Sequence, residues 1–165
     1  MHSLTFAIST GQWLREDSSV YWISGKAGSG KSTLVANIVE DERTKAGLEY
    51  WSGGRPVQIL SFYFWRPGSA LQESAVGLLR NLLHHICAAN PISMDAVLAA
   101  TSPVTIRNGW GESQYAAAFR TAISVASGSH FCLFIDGLDE YEGAYDELID
   151  LVLSLQSVHN VKCCV

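Results

Sequence analysis

The residues from Gly25 to Ser32 match the phosphate-binding pattern G-x-x-x-x-G-K-[ST] at every fixed position. Glycines let the backbone curl so that successive N–H groups point at an anion, and the positive N-terminal end of a following helix adds to the attraction. Lys31 is expected to reach the β- and γ-phosphates of a nucleotide, and the Ser32 hydroxyl to be a ligand of Mg²⁺. The predicted phosphate-binding residues are Gly25, Lys26, Ala27, Gly28, Ser29, Gly30, Lys31, Ser32 and Thr33.

A second group of candidate residues follows the apolar run 131–135. Five apolar residues bounded by turn signals are typical of a strand buried on both faces of a parallel sheet. Asp136 ends this run, which predicts a carboxylate at the edge where open α/β sheets bind their ligands. We expect Asp136 to hold Mg²⁺, through water, opposite Ser32. Asp139 and Glu140 follow closely enough to orient or deprotonate a water molecule, and they are the predicted catalytic residues.

The elements that must position these residues are predicted from the spacing of apolar residues. Strands are predicted over 20–23, 57–64, 131–136 and 161–165. Helices are predicted over 32–40, 93–100 and 115–126. Two further helices are predicted, one from an N-cap at Ser69 to Pro91 and one along an apolar stripe from Leu148 to Leu155. A short amphipathic helix around Trp13 and Leu14 is expected to end near residue 18. Residues 41–56 and 101–111 are predicted to be connections without helices.

Composition narrows the functional classes. The chain has 165 residues, which suits one domain, and 48% of them are hydrophobic, enough to fill a core. A formal net charge of −5 argues against a nucleic-acid partner, which would need a basic face. No signal peptide is evident, and no apolar run is long enough for a membrane span. The four cysteines are expected to be buried free thiols of a cytoplasmic protein: Cys87, Cys132, Cys163 and Cys164.

The segment from Tyr21 to Leu34 resembles the P-loop of fungal NACHT-type NTPases, within the STAND class of signal-transduction NTPases, which is also described as a nephrocystin-like N-terminal domain. Three further segments are similar in the same order: 61–65, 77–83 and 134–141. The likeness covers nearly the whole chain, and Asp-Gly-Leu-Asp-Glu at 136–140 is its most specific part.

The resemblance implies a three-layer α/β P-loop NTPase fold with a mainly parallel sheet in the order 5-1-4-3-2. The strand that begins at Val161 would then lie between the P-loop strand and the strand that ends in Asp136, and the fifth strand would be missing. The resemblance also implies a nucleotide switch, bound to ADP at rest and to ATP when active, which self-associates in its full-length parent. We expect Mg²⁺-dependent binding of ATP or ADP, with GTP not excluded, and slow or absent hydrolysis.

We therefore interpret residues 1–165 as one partial domain, with an upstream helical segment at 1–19 and an NTPase core at 20–165 truncated in or just after its fourth strand. Two alternatives stay open. A small P-loop kinase would use several arginines in a lid, whereas the seven arginines here are scattered and none follows Arg120. The other alternative is an interaction fragment that no longer binds nucleotide.

Overall fold

The computed structural model describes residues 11–17, 20–26, 28–158 and 160–165. Within these ranges the strands form one four-stranded sheet in the order β1-β4-β3-β2, and every neighbouring pair is parallel. The strands are β1 (Val20–Tyr21), β2 (Val57–Tyr63), β3 (His130–Asp136) and β4 (Val161–Cys164). This confirms the predicted parallel α/β fold and, for these strands, the order 1-4-3-2.

The register of the sheet brings the carboxyl ends of the strands to one edge. Tyr63 pairs with Asp136, and Tyr21 pairs with Cys164. The pairing of β1 continues beyond its last residue, because the Val165 N–H donates to the Tyr21 carbonyl (2.9 Å) and the Ile23 N–H donates to the Val165 carbonyl (2.6 Å). The chain therefore leaves β1 towards the phosphate-binding pattern at the same edge at which β3 ends in Asp136.

Helices cover both faces of the sheet and make three layers. Along the chain they are α1 (Lys31–Glu40), α2 (Glu42–Trp51), α3 (Ala75–Ala89), α4 (Pro91–Ala100), α5 (Pro103–Asn108), α6 (Glu112–Val125) and α7 (Tyr145–Gln156), with a 3₁₀ turn at Leu138–Glu140. α1 and α2 pack with Trp13 and Leu14 in a smaller apolar cluster on one face. α3, α4, α6 and α7 contribute to the larger cluster on the other face.

Alternation along β3 fixes which face each of its side chains occupies. Phe131, Leu133 and Ile135 belong to the larger cluster, whereas Cys132 and Phe134 belong to the smaller cluster that α1 covers. Since successive side chains of a strand point to opposite faces, Asp136 projects to the α1 side of the sheet. All of β3 beyond His130 is buried, which confirms the prediction of a strand covered on both faces.

The prediction that residues 41–56 lack a helix is wrong over 42–51. Asp41 caps α2, its Oδ1 accepting a hydrogen bond from the Arg43 N–H over 2.8 Å. Thr44 and Leu48 are buried against the core. The segment contains too few apolar residues to show a clear helical pattern. Its helix is stabilised by the capping residue and by tertiary packing, which the spacing of apolar residues does not reveal. The Ser-Gly-Gly turn at 52–54 lies where the sequence indicated.

Three other boundaries differ from prediction. α3 begins at Ala75, because the Ser74 Oγ, not that of Ser69, accepts the Gly77 N–H (3.2 Å). The predicted loop at 101–111 contains α5, where Ser102 caps the Thr105 N–H (3.1 Å). In the upstream segment the described helical residues are 11–13 and turns follow, so the predicted extension to residue 18 is wrong.

The upstream segment is fixed to the sheet by a buried lysine. Lys162 on β4 is 1% exposed, and its Nζ donates hydrogen bonds to the carbonyl oxygens of Trp13 and Glu16. The same Nζ lies 4.8 Å from the centroid of the Trp13 ring and 4.9 Å from that of Trp51. The chain that enters β1 is therefore held by polar and cation–π contacts on the face that α1 and α2 cover.

Two expectations from composition can be compared with the structure. The four cysteines are buried and free, as predicted. Among the residues that the structure describes, no helix has the length and apolar character needed to cross a membrane.

Candidate functional site

Two glycines in the loop between β1 and α1 have the backbone conformation that a tight phosphate-binding turn uses. Gly28 (φ +72°) and Gly30 (φ +85°) both adopt left-handed conformations that other residues rarely tolerate. Gly30 is also the N-cap residue of α1. Ala27, one of the predicted phosphate-binding residues, lies outside the described part of the chain. The two glycines thus make the tight bend that carries the chain from the strand into the helix.

Lys31 folds back over this loop. Its Nζ donates hydrogen bonds to the carbonyl oxygen of Gly25 (3.1 Å) and, less closely, to that of Lys26 (3.4 Å). The ammonium group is therefore held above the turn that the loop forms, where it would face an anion bound by the loop amides.

The first turn of α1 leaves room for an anion. No side chain caps the helix in the described residues, and no acidic residue lies in its first turn. The Leu34 N–H makes a hydrogen bond with the Gly30 carbonyl (2.9 Å), so the amides of the three residues before it precede the intrahelical ladder. Ser32 and Thr33 are exposed at this end of the helix. Unpaired amides and the helix dipole together favour a bound phosphate there.

Asp136 lies at the same edge of the sheet and on the α1 side. Its side chain is buried (8% exposed), and its backbone carbonyl accepts a hydrogen bond from the Phe64 N–H over 2.9 Å. Burial raises the pKa of the Cys164 thiol to about 12, and the negative charge of Asp136 adds to this shift. The carboxylate is thus close enough to β4, the strand between β3 and β1, to act on its last residue.

The donor set at this edge fits magnesium better than zinc. No group of three or more histidine, cysteine, aspartate or glutamate side chains suited to a metal ion occurs in the described ranges. Mg²⁺ commonly takes one or two protein oxygens and completes its shell with phosphates and water, whereas zinc takes three or four protein ligands. One hydroxyl (Ser32) and one carboxylate (Asp136) suit the first pattern.

Gly137 explains why the acidic residues come later in the turn. It has φ +76°, and a Cβ atom placed on it would lie 2.6 Å from the Phe64 carbonyl oxygen. A side chain at this position would therefore meet backbone strain and a steric clash together. The backbone of the neighbouring loop therefore occupies the space that a side chain directly after Asp136 would need.

Asp139 and Glu140 lie on the 3₁₀ turn and contact the loop that follows β2. The Glu140 Oε2 accepts a hydrogen bond from the Arg66 N–H over 2.9 Å. The Asp139 carbonyl oxygen is 3.4 Å from the Arg66 Nη2 and 3.4 Å from the Tyr145 hydroxyl. Among the described residues, no hydrogen bond joins either carboxylate to the loop at 25–33. The structure thus joins the two predicted catalytic residues to Arg66 and not to Lys31.

Comparison with known proteins identifies the family. A model of the family described as Nephrocystin 3, N-terminal, matches residues 5–165. The chain belongs to the nephrocystin 3 N-terminal family. The match includes both the loop at 25–33 and the turn at 136–140, and it confirms the nephrocystin-like part of the resemblance. No curated protein and no solved structure is significantly similar to the chain.

In this nephrocystin 3 N-terminal domain the contacts of Arg66 with Asp139 and Glu140 were not predicted from the sequence. The predicted strand at 57–64 stops just before Arg66, and no role was predicted for this residue. A usable signal was present, because β2 and β3 were both predicted strands and the residues that follow parallel neighbours meet at one edge. A cation directly after one strand and two acids shortly after the other indicate a contact between the two loops.

Proposed function

We propose that this nephrocystin 3 N-terminal domain binds Mg²⁺ with ATP or ADP through residues 25–33, as the nucleotide-switch core of a NACHT-type NTPase of the STAND class. The observation that carries the proposal is the loop itself, in which two left-handed glycines lead into an uncapped helix while the Lys31 Nζ folds over the turn. The family match and the position of Asp136 at the same sheet edge support it.

Each residue has a distinct role in this proposal. The loop amides and the first turn of α1 bind the phosphate oxygens, and Lys31 contributes the positive charge. Ser32 and Asp136 hold Mg²⁺, which neutralises part of the charge on the phosphates. These groups recognise phosphates and not the base, so GTP is compatible with the same site.

We propose that hydrolysis is slow or absent. Gly137 has no room for the glutamate that many P-loop ATPases carry at this position. Of the two predicted catalytic residues, the Glu140 carboxylate already accepts the Arg66 N–H, which leaves Asp139 as the candidate for orienting a water molecule. Slow hydrolysis suits a switch whose output depends on which nucleotide is bound. As in fungal NACHT proteins, we propose a cytoplasmic setting and self-association of a longer parent protein.

The test is titration of the chain with a fluorescent ADP analogue in the presence of Mg²⁺. Lys31→Ala should weaken binding by roughly tenfold to a hundredfold, because charge-assisted hydrogen bonds to phosphate are among the stronger ones. Lys45→Ala is the matched control: it removes one lysine on α2, whose ammonium pairs with Glu42 at 2.6 Å, and should bind like the wild type. Absence of binding by the wild type, or equal affinity of Lys31→Ala and wild type, would overturn the proposal.

A further inference from the structure

Two loops at the carboxyl edge of the sheet are joined by a row of contacts, which we call the loop seam (residues 64–73 against residues 136–142). At one end the Phe64 N–H donates to the Asp136 carbonyl (2.9 Å), and at the other the Glu142 N–H donates to the Glu73 carbonyl (2.8 Å). Between these ends the backbone of Gly137 lies against the Phe64 carbonyl. The seam therefore includes the backbone of the residue that we propose as a metal ligand.

Glu140 contributes a charged acceptor to the middle of the seam. Its Oε2 accepts the Arg66 N–H over 2.9 Å, while the Arg66 guanidinium reaches the Asp139 carbonyl at 3.4 Å. Hydrogen bonds to an ionised acceptor are stronger than those between neutral groups. One oxygen of Glu140 is thus committed to the backbone of the neighbouring loop. This contact spans 74 residues of sequence, and it joins the two loops just beyond the paired ends of β2 and β3.

We propose that Glu140 is a positioning residue, whose carboxylate holds the loop seam closed and thereby fixes the backbone of Asp136 and Gly137. The effect on metal and nucleotide rests on the function proposed above. The seam itself is a property of the polypeptide and can be tested without nucleotide.

The first experiment measures amide hydrogen exchange of residues 64–68 in the nucleotide-free protein. Pro67 has no N–H, so only a few amides contribute to the exchange signal of this segment, and exchange of the Arg66 amide can be followed. Glu140→Ala removes the acceptor and should speed exchange at Arg66 by roughly tenfold or more. Glu140→Gln keeps an amide oxygen in place of the carboxylate and should change the rate by only about threefold. Glu142→Ala removes an exposed acid of the same turn while keeping its backbone N–H, and should exchange like the wild type.

The second experiment separates positioning from base catalysis. A catalytic base is lost equally in Glu140→Gln and Glu140→Ala, because neither side chain can take a proton from water at neutral pH. If Glu140 acts by positioning, its hydrogen bond to the Arg66 N–H is largely preserved in Glu140→Gln. This variant should therefore keep the Mg²⁺-dependent nucleotide affinity and any slow hydrolysis within about threefold of wild type. Glu140→Ala should lose roughly tenfold in that affinity.

Two results would overturn the proposal. One is wild-type protection of the Arg66 amide in Glu140→Ala, with circular dichroism showing that the variant is folded. The other is hydrolysis as low in Glu140→Gln as in Glu140→Ala while the Arg66 amide of Glu140→Gln stays protected, which would make Glu140 the base. If the wild type binds no nucleotide, the proposed function fails, but the exchange rates still decide whether Glu140 closes the seam.

Discussion

The Nζ of Lys162 donates a hydrogen bond to the carbonyl oxygen of Trp13 from a position 149 residues later in the chain. It donates a second to Glu16 and lies near the indole rings of Trp13 and Trp51. The two carbonyls belong to the turn that follows the helical residues 11–13, where carbonyl oxygens lack the donors that a continuing helix would provide. A central strand of the sheet thus holds the segment from which the chain enters β1.

Burial gives this lysine a measurable pH signature. Removal from water lowers the pKa of Lys162 from its ordinary value of 10.5 to about 8, and the charges of Glu16 and Asp17 partly oppose this shift. Between pH 8 and 10.5 the unfolded chain therefore binds a proton at this lysine that the folded chain has lost. In that window Lys162 makes the free energy of unfolding rise with pH, by up to about 3 kcal/mol in total.

The measurement is urea unfolding of wild type and Lys162→Met at pH 7, 8, 9 and 10. Burial raises the pKa of the thiols of Cys132, Cys163 and Cys164, which gives the opposite slope above pH 9, but these thiols are present in both proteins. The free energy of unfolding of the wild type minus that of Lys162→Met should increase as the pH rises from 7 to 10. A difference that does not change with pH would show that the lysine is not desolvated in the folded protein.

Asp136→Asn tests the proposed role of Asp136, at the end of β3, in holding Mg²⁺. The amide should weaken nucleotide affinity by roughly tenfold in Mg²⁺, because a neutral amide attracts a divalent cation and its bound water less strongly than a charged carboxylate does. Affinity in EDTA should stay close to that of wild type. Asp150→Asn, which removes an exposed acid on α7, is the matched control and should bind normally under both conditions. An equal loss with and without Mg²⁺ would place the effect in the fold and not in metal binding.

Gly137→Ala tests the close approach between the two loops. The new Cβ meets the Phe64 carbonyl oxygen at 2.6 Å and the backbone has φ +76°, so we expect a loss of about 2 kcal/mol or more in unfolding free energy. Gly128→Ala is the control, because an added Cβ there has no atom within 4 Å and no positive φ to accommodate. Urea unfolding of both variants gives the comparison; equal stability of the two would mean that the loops can move apart freely.

Much of the fold could be predicted because β3 is a continuous apolar run and because apolar residues recur at helical spacing in α3, α6 and α7. The boundaries that failed depend on local chemistry that several residues could supply. Ser69 and Ser74 are both suitable caps, and only the packing of the chain decides that the Ser74 hydroxyl accepts the Gly77 N–H while Ser69 bonds to Gln72. For α2 the capping aspartate was present in the sequence, but the segment has too few apolar residues to show a helical spacing.

The position of the candidate loop between β1 and α1 could be predicted, whereas its surroundings could be predicted only in part. The spacing of Gly28, Gly30 and Lys31 follows from phosphate chemistry, so a pattern could reveal it. The role of Lys162 could not be predicted in this way, because a lysine in a short strand ordinarily indicates an exposed face. Its burial depends on two tryptophans and two carbonyls distant in sequence. Likewise, the contact of Glu140 with Arg66 depends on the register between β2 and β3.

The order of the strands also has a consequence for how the protein is made. In the described part of the chain β1 pairs only with β4, which lies 140 residues further along the sequence at Val161–Cys164, whereas β2 and β3 pair as soon as Asp136 is available. Contacts between distant segments form late because closing a long loop costs entropy. On the ribosome, where chains emerge N-terminus first, β1 must therefore wait for its partner until synthesis has passed Cys164. We expect a nascent chain to order the loop at 25–33 only after β2 and β3 have paired.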